Sequence, residues 1–361
     1  MKFTIARSAL LRGLKLASST ADAKSPQPML ACVNIVAKGA RVDMSATDLT
    51  VGMTSSCAAK VDTSGAVAVD ARAILDRVSS IAGDDATVIR EGSSVEIVAG
   101  RSRFRVPCLD ARDFPKILTT DAPHVEHDAA DVVAGFAATL PAVCHDATRF
   151  HLGGVFVDGV DFVATDGHRL LTRRSAVTMG GKRIVPTKGV VQIMKMINDA
   201  ATCEIAWSDA AIFVRVDGVV MSVKLIDAQF PPWQQAVPTS GRTVSVSRRE
   251  LADVIDRARK VAGDSDAAVM SFDAASDEIA VSAHHADRGD YTDAIGIAEG
   301  KWDGAPLAIH FNGRYVAEAL NTSSADRVDL MMPPDGKNAE LMPFVVVIGE
   351  TRGTIMPMRP K

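Results

Sequence analysis

Ala164-Thr165-Asp166-Gly167-His168-Arg169-Leu170 carries the signal that sets the fold of this chain. Its Asp-Gly pair stands between two apolar runs, Phe162-Val163-Ala164 and Leu170-Leu171. Glycine accepts the positive φ that a tight turn between antiparallel strands demands. The phrase occurs earlier as Ala46-Thr47-Asp48-Leu49, again between apolar strands, with the two threonines 118 residues apart. A phrase returning at that interval predicts a repeat of whole domains.

The surrounding pattern extends the repeat. In the middle third a short strand at 125–127 precedes a helix at 128–143, and strands at 154–157, 161–165 and 168–174 follow. A strand at 183–186 then leads to a helix at 187–199 and strands at 203–207, 212–216 and 219–226, closing on Gln229-Phe230-Pro231. The first third has the same order: helices at 7–19 and 70–81, each followed by three strands, and a close on Asp113-Phe114-Pro115. The last third places helices at 247–261 and 312–321, with Ser247 as N-cap and Glu250 three residues on as a capping box. Helix starts near 7, 128 and 247 step by about 120 residues. The expected architecture is α+β: three repeated domains at 1–122, 123–241 and 242–361. Each carries two amphipathic helices packed on antiparallel sheets, and each contains two half-copies of one unit.

Composition bounds what such a chain does. At 361 residues it is too long for one ordinary core, and 47% hydrophobic with 23% charged residues is a globular balance. No apolar run reaches about 18 residues, so no membrane span is expected. The opening Met1-Lys2-Phe3-Thr4-Ile5 goes straight into a strand pattern, from which no secretory signal is expected. Cys32, Cys57, Cys108, Cys144 and Cys203 are scattered singly in apolar stretches, a pattern of reduced, buried thiols in cytosol. No Walker lysine, zinc-spaced Cys/His set or nucleophile elbow occurs, so no catalysis, metal or cofactor is expected. Asp166 with His168 also reads as half of a catalytic or metal site, but neighbours around a tight turn usually serve the turn. His124, His127, His284 and His285 read as solvated loop and strand residues, with metal binding the alternative.

Three such domains in line leave unpaired strand edges at both ends, and edges must be covered or paired. Pairing the first domain with the third of a second molecule closes a symmetric ring; three beads on a string is the plainer reading. Charge favours the ring. Helix 7–19 carries Arg7, Arg12 and Lys15 with no acid, and helix 247–261 carries five cations against three acids. The six helices together are net positive in a chain of net charge −4. A positive helical face on an acidic body suits a duplex held by phosphate contacts without sequence readout.

Several short motifs resemble those of one family in order and spacing over the full length. They are Met1-Lys2-Phe3-Thr4, Ala46-Thr47-Asp48-Leu49, Gly100-Arg101-Ser102-Arg103-Phe104, Asp113-Phe114-Pro115, the 164–170 stretch, Phe230-Pro231 and Met356-Pro357-Met358-Arg359. The chain resembles the bacterial DNA polymerase III β subunits, the sliding clamps. That resemblance implies a head-to-tail homodimeric ring that encircles double-stranded DNA and slides. It also implies a groove for short linear motifs of the polymerase III α subunit, the clamp loader, and other polymerases and repair proteins. The location it implies is cytoplasmic, at the nucleoid. A protein scaffold of the same fold without DNA is the rival reading.

The resemblance places the groove on Leu152, Thr165, Gly167, His168, Arg169, Leu170 and Pro231 of the middle third. From the last third it adds Asn312, Tyr315, Leu341, Pro343, Met356, Pro357, Met358 and Arg359. Leu, Pro and Met suit an adaptable apolar pocket, and Arg169 and Arg359 suit peptide carbonyls or carboxylates. Lys24, Arg72, Arg149 and Lys188 are the implied DNA contacts. Asp146 stands where a relative has a neutral polar residue, which weakens that face. The implied ring seam sets Phe104 near Val261 of a second copy. The chain departs from the family pattern at Gln235-Ala236 and at Pro360-Lys361, which run past the C-terminal motif.

Overall fold

The structure, a computed structural model, describes residues 1–176 and 178–359. Among these, six α-helices appear: α1 (Arg7–Thr20), α2 (Ala71–Ser80), α3 (Ala129–Thr139), α4 (Thr187–Ile197), α5 (Arg248–Ala262) and α6 (Gly313–Leu320). Each lies within a few residues of its expected place. Apolar spacing explains the buried faces. Leu10, Gly13, Leu14 and Ala17 recur at three- and four-residue steps in α1, as do Leu251, Val254, Ile255 and Ala258 in α5. A Cβ on Gly13 would stand 2.1 Å from Met44 Cε, so the missing side chain lets α1 lie close on its sheet. The Ser247 hydroxyl accepts the Glu250 N–H at 3.3 Å, and Gly263 at φ 62° ends α5. The α3 helix stops four residues short of expectation. Pro141 cannot continue the α-helical ladder, and Leu140–Ala142 tightens into a 3₁₀ turn.

The chain divides into two compact units, Met1–Ala129 with Lys188–Leu225, and Ala130–Thr187 with Ile226–Lys361. The first holds an antiparallel sheet of thirteen strands and the second one of twelve. Each sheet crosses a boundary between thirds. In the first unit Val219–Lys224 pairs with Val51–Ala58, Met221 opposite Met53. In the second, Thr351–Ile355 pairs with Arg169–Arg174, Thr354 opposite Leu170. In both, the last strand of one third's second half joins the last strand of the preceding third's first half.

Lys60–Thr63 is a strand that sequence patterning missed; it pairs with Lys2–Ala6. It is short, exposed and half charged, and so lacks alternation. The strand after Ala46-Thr47-Asp48-Leu49 begins at Val51, because Leu49 sits at φ 76° inside the turn. His127, expected to be solvated, is buried in the strand Val125–Asp128. The cysteines are free; Cys108 is half-buried and the other four are buried. No helix among the described residues is long and apolar enough to cross a membrane.

Candidate functional site

The site grows from the turn in the 164–170 stretch. Asp161–Thr165 and Arg169–Arg174 pair antiparallel, and Gly167 takes φ 88° between them. Thr165 Oγ1 donates to Arg169 O at 2.6 Å and accepts Gly167 N at 3.1 Å. Asp166 Oδ1 accepts the N–H groups of His168 and Arg169. Thr and Asp therefore stay in the turn to satisfy backbone donors, the turn role expected of them. Among the described residues no group of three or more His, Cys, Asp or Glu side chains could hold a metal.

Over this turn lies a cavity of about 220 Å³. Seven expected residues line it: Leu152, Thr165, Gly167, Arg169, Leu170, Pro231 and Met356. Leu152 and Leu170 form a buried apolar floor, while Met356 is 45% exposed at the rim. A large exposed thioether beside an apolar recess adapts to varied side chains. Sequence reasoning missed Pro232, Trp233 and Thr354, and named Ala236 only as a departure from the family pattern. Trp233 carried a signal, an aromatic directly after Phe230-Pro231-Pro232. Its Nε1–H donates to Asp158 Oδ2 at 3.2 Å, which fixes the indole. Thr354 enters only through strand register, opposite Leu170, and register is not visible in one sequence.

Arg169 differs from expectation. It is 6% exposed, and its donors point into the protein, not toward a ligand. Nε binds Asp166 Oδ2 at 3.2 Å, Nη1 pairs with Glu318, and Nη2 donates to Pro141 O. Its Cζ lies 4.3 Å from the centre of the Tyr315 ring. A buried guanidinium has to satisfy its donors internally, so Arg169 shapes the wall as a bracket. Tyr315 reaches the site through that stack. Asn312 caps α6, its side chain accepting Arg314 N at 3.0 Å. His168 lends its carbonyl to Met356 N at 3.0 Å, and Met358 N donates to His310 O at 2.7 Å. Those two bonds anchor the C-terminal segment. Asn312, Leu341, Pro343, Pro357, Met358 and Arg359 do not line this cavity; Leu341 and Arg359 are exposed near the surface. Pro360 and Lys361 lie outside the described residues.

The expected DNA contacts differ among themselves. Lys24 and Arg72 are exposed and make no ion pair among the described residues. The Lys188 ammonium is paired with the buried Asp48 carboxylate. Arg149 binds Asp146 Oδ2 at 3.3 Å and donates to Asp166 O at 2.7 Å. Asp146 itself opens the 3₁₀ turn Ala147–Leu152, and hydrogen bonds from Thr148 hold its carboxyl below the usual carboxylate range. Two of the four cations are thus already engaged. In the unit of Lys24 and Arg72, a cleft of about 570 Å³ beside α1 carries Arg12 and Lys15 over Leu11, Leu16 and Met196.

Sequence profiles of the DNA polymerase III beta subunit match in order: the N-terminal domain at residues 1–118, the central domain at 133–232 and the C-terminal domain at 234–359. The "Beta sliding clamp" of Vibrio cholerae is 26% identical over 373 residues, covering 99% of this chain and 100% of that protein. That of Caulobacter vibrioides is 27% identical over 337 residues, covering 88% and 89%. Among solved structures, the DNA polymerase sliding clamp from Caulobacter crescentus aligns with TM-score 0.91 at 24% identity over 100% of both chains. The DNA polymerase III subunit beta from Pseudomonas aeruginosa aligns with TM-score 0.90 at 23% identity, covering 99% of this chain and 100% of that one. The three matched domains cover nearly the whole chain, and the fold agrees: this chain belongs to the DNA polymerase III beta subunit family, the sliding clamps, non-catalytic processivity subunits of the polymerase.

Proposed function

We propose that two copies of this chain close head to tail into a ring around duplex DNA, with domains at 1–122, 123–241 and 242–361. The ring slides without reading sequence and tethers the polymerase III α subunit, the clamp loader and other polymerases or repair proteins. These partners dock short linear motifs in the cavity beneath Met356. The expected location is the cytoplasm, at the nucleoid.

One observation carries the ring: the strand seam repeated inside the chain. Two such seams are made, and the same rule leaves for a third the open part of Ser102–Leu109, ahead of Cys108 paired with Val69, and the open part of Gly289–Glu299, ahead of Ile297 paired with Val246. Ser102 and Val219 each open a strand after a two-residue turn, so Phe104 stands where Met221 stands. Ala6 and Ser247 both precede their helices, so Val261 stands where Thr20 stands. Met221 and Thr20 line one small cavity at the inner seam. That proximity supports a Phe104–Val261 contact between copies.

Sedimentation from micromolar to nanomolar concentration tests the ring. A species near twice 38.1 kDa is expected, and a monomer throughout overturns the reading. A second reading, a scaffold that holds proteins without DNA, draws on the internal pairing of Lys188 and Arg149. Salt-sensitive retention on circular but not linear duplex, after loading, separates the two.

A further inference from the structure

The turn beneath the groove is built twice. Thr47 Oγ1 donates to Val51 O at 2.9 Å and accepts Leu49 N at 3.0 Å, and Asp48 Oδ1 accepts Thr50 N and Val51 N. These are the bonds that Thr165 and Asp166 make. Gly52 lies opposite Ser222 as Leu170 lies opposite Thr354. Leu49 holds φ 76°, a left-handed conformation costly for a residue with a Cβ, at the position of Gly167. Phe114-Pro115 closes the first third as Phe230-Pro231 closes the middle one.

The two places differ in what fills them. Here the remaining cavity is about 30 Å³, against about 220 Å³ at the groove. Lys116, Ile117 and Leu118 form one wall. A Cβ on Gly52 would stand 2.8 Å from Ile117 Cγ2 and 2.9 Å from Ser222 Oγ, so Ile117 fills space that glycine leaves open. Residues 115–119 belong to no helix or strand. Among the described residues their backbone makes no hydrogen bond. Side-chain packing alone holds them, and Leu118 remains 37% exposed.

We infer that this is a second binding site for extended segments with two adjacent aliphatic side chains, and that residues 116–118 are its resident ligand, tethered in cis. Lys224 lines it at the position of Met356, so an outside ligand with a carboxylate beside the aliphatic pair fits best. Tethering supplies the resident segment at an effective concentration on the order of millimolar. An outside segment therefore has to outcompete it. The site follows from the repeated geometry and does not depend on what the groove under Met356 binds.

Trypsin reads the latch directly, because Lys116-Ile117 is a tryptic bond. Ile117→Ser with Leu118→Ser is expected to speed cleavage after Lys116 about tenfold or more over the unaltered chain. Gly52→Ala, whose methyl group meets Ile117, is expected to do the same without altering the segment. A fluorescent nonapeptide of residues 113–121 is expected to bind the double variant saturably, one per chain, and not the unaltered chain. Circular dichroism and unchanged cleavage at other sites identify variants that remain folded. Equal cleavage at Lys116 in all three chains overturns the inference. So does failure of the nonapeptide to bind the double variant at millimolar concentration, or equal binding to the unaltered chain, which assigns it to the other groove.

Discussion

Arg169 shows how a charged residue can line a cavity while its donors point into the protein. Its guanidinium connects the turn, through Asp166, to Glu318 on α6 and to the carbonyl of Pro141. Arg169→Leu strands two carboxylates and a carbonyl. Because Glu318 is about one-third exposed, water recovers part of the loss, and a cost of about 1–3 kcal/mol is expected. A fall of that size in the unfolding free energy from urea titration, with weaker binding of a groove peptide, checks the bracket role. Peptide binding lost at unchanged stability would instead mean direct contact. The sequence named Arg169, but where its donors point depends on Glu318, 149 residues away. At Cys32 and Cys203 burial pushes the thiols up to about 11, with Asp70 and Asp128 adding to it. The folded state then keeps protons that the unfolded chain loses above about pH 9, so stability falls as pH rises from about 9 to 11. Each thiol contributes on the order of 2 kcal/mol to that fall. Cys32→Ala with Cys203→Ala is expected to flatten the slope of unfolding free energy over this window; an unaltered slope refutes the assignment.

Elements were legible where periodicity was strong. All six helices were expected within a few residues, because their buried faces recur at helical steps. Lys60–Thr63 was not, since a four-residue edge strand with two charges has no alternation to read. The 3₁₀ turns at Ala147–Leu152 and Trp233–Ala236 were also missed, and both flank the groove. Short turns are set by local capping and by what packs above them, such as Asp146 on Thr148 and Asp158 on Trp233. Capping was readable at α5, where Ser247 is followed by Glu250. Ser247→Ala is expected to cost about 1 kcal/mol, and Ser247→Asp to restore most of it. Hydrogen exchange in the first turn of α5 checks this, with amides of Glu250 and Leu251 losing protection first.

On the scale of the whole molecule, the repeated seam decides what a second copy must supply. Inside the chain, Met221 lies across the sheet from Met53 and beside Thr20, so apolar side chains from two strands and a helix close the joint. At the unpaired end, Phe104 stands in the place of Met221, half-buried against the core, with Arg77 6.0 Å from its ring centre. An aromatic held partly exposed on a strand with a free edge is the usual anchor of an interface between chains. Phe104→Ala removes that anchor without opening the core beneath it. The expected result is a dimer dissociation constant raised about tenfold to a hundredfold, with the unfolding midpoint of the monomer nearly unchanged. Met221→Ala provides the internal comparison: its strand partner is in the same chain, so it should lower stability without changing the dimer constant. Sedimentation of both variants at nanomolar concentration separates the outcomes. A Phe104→Ala dimer as tight as the original would mean that backbone pairing between the open parts of these two strands, 102–107 and 289–296, carries the seam by itself, or that the third seam is not formed there.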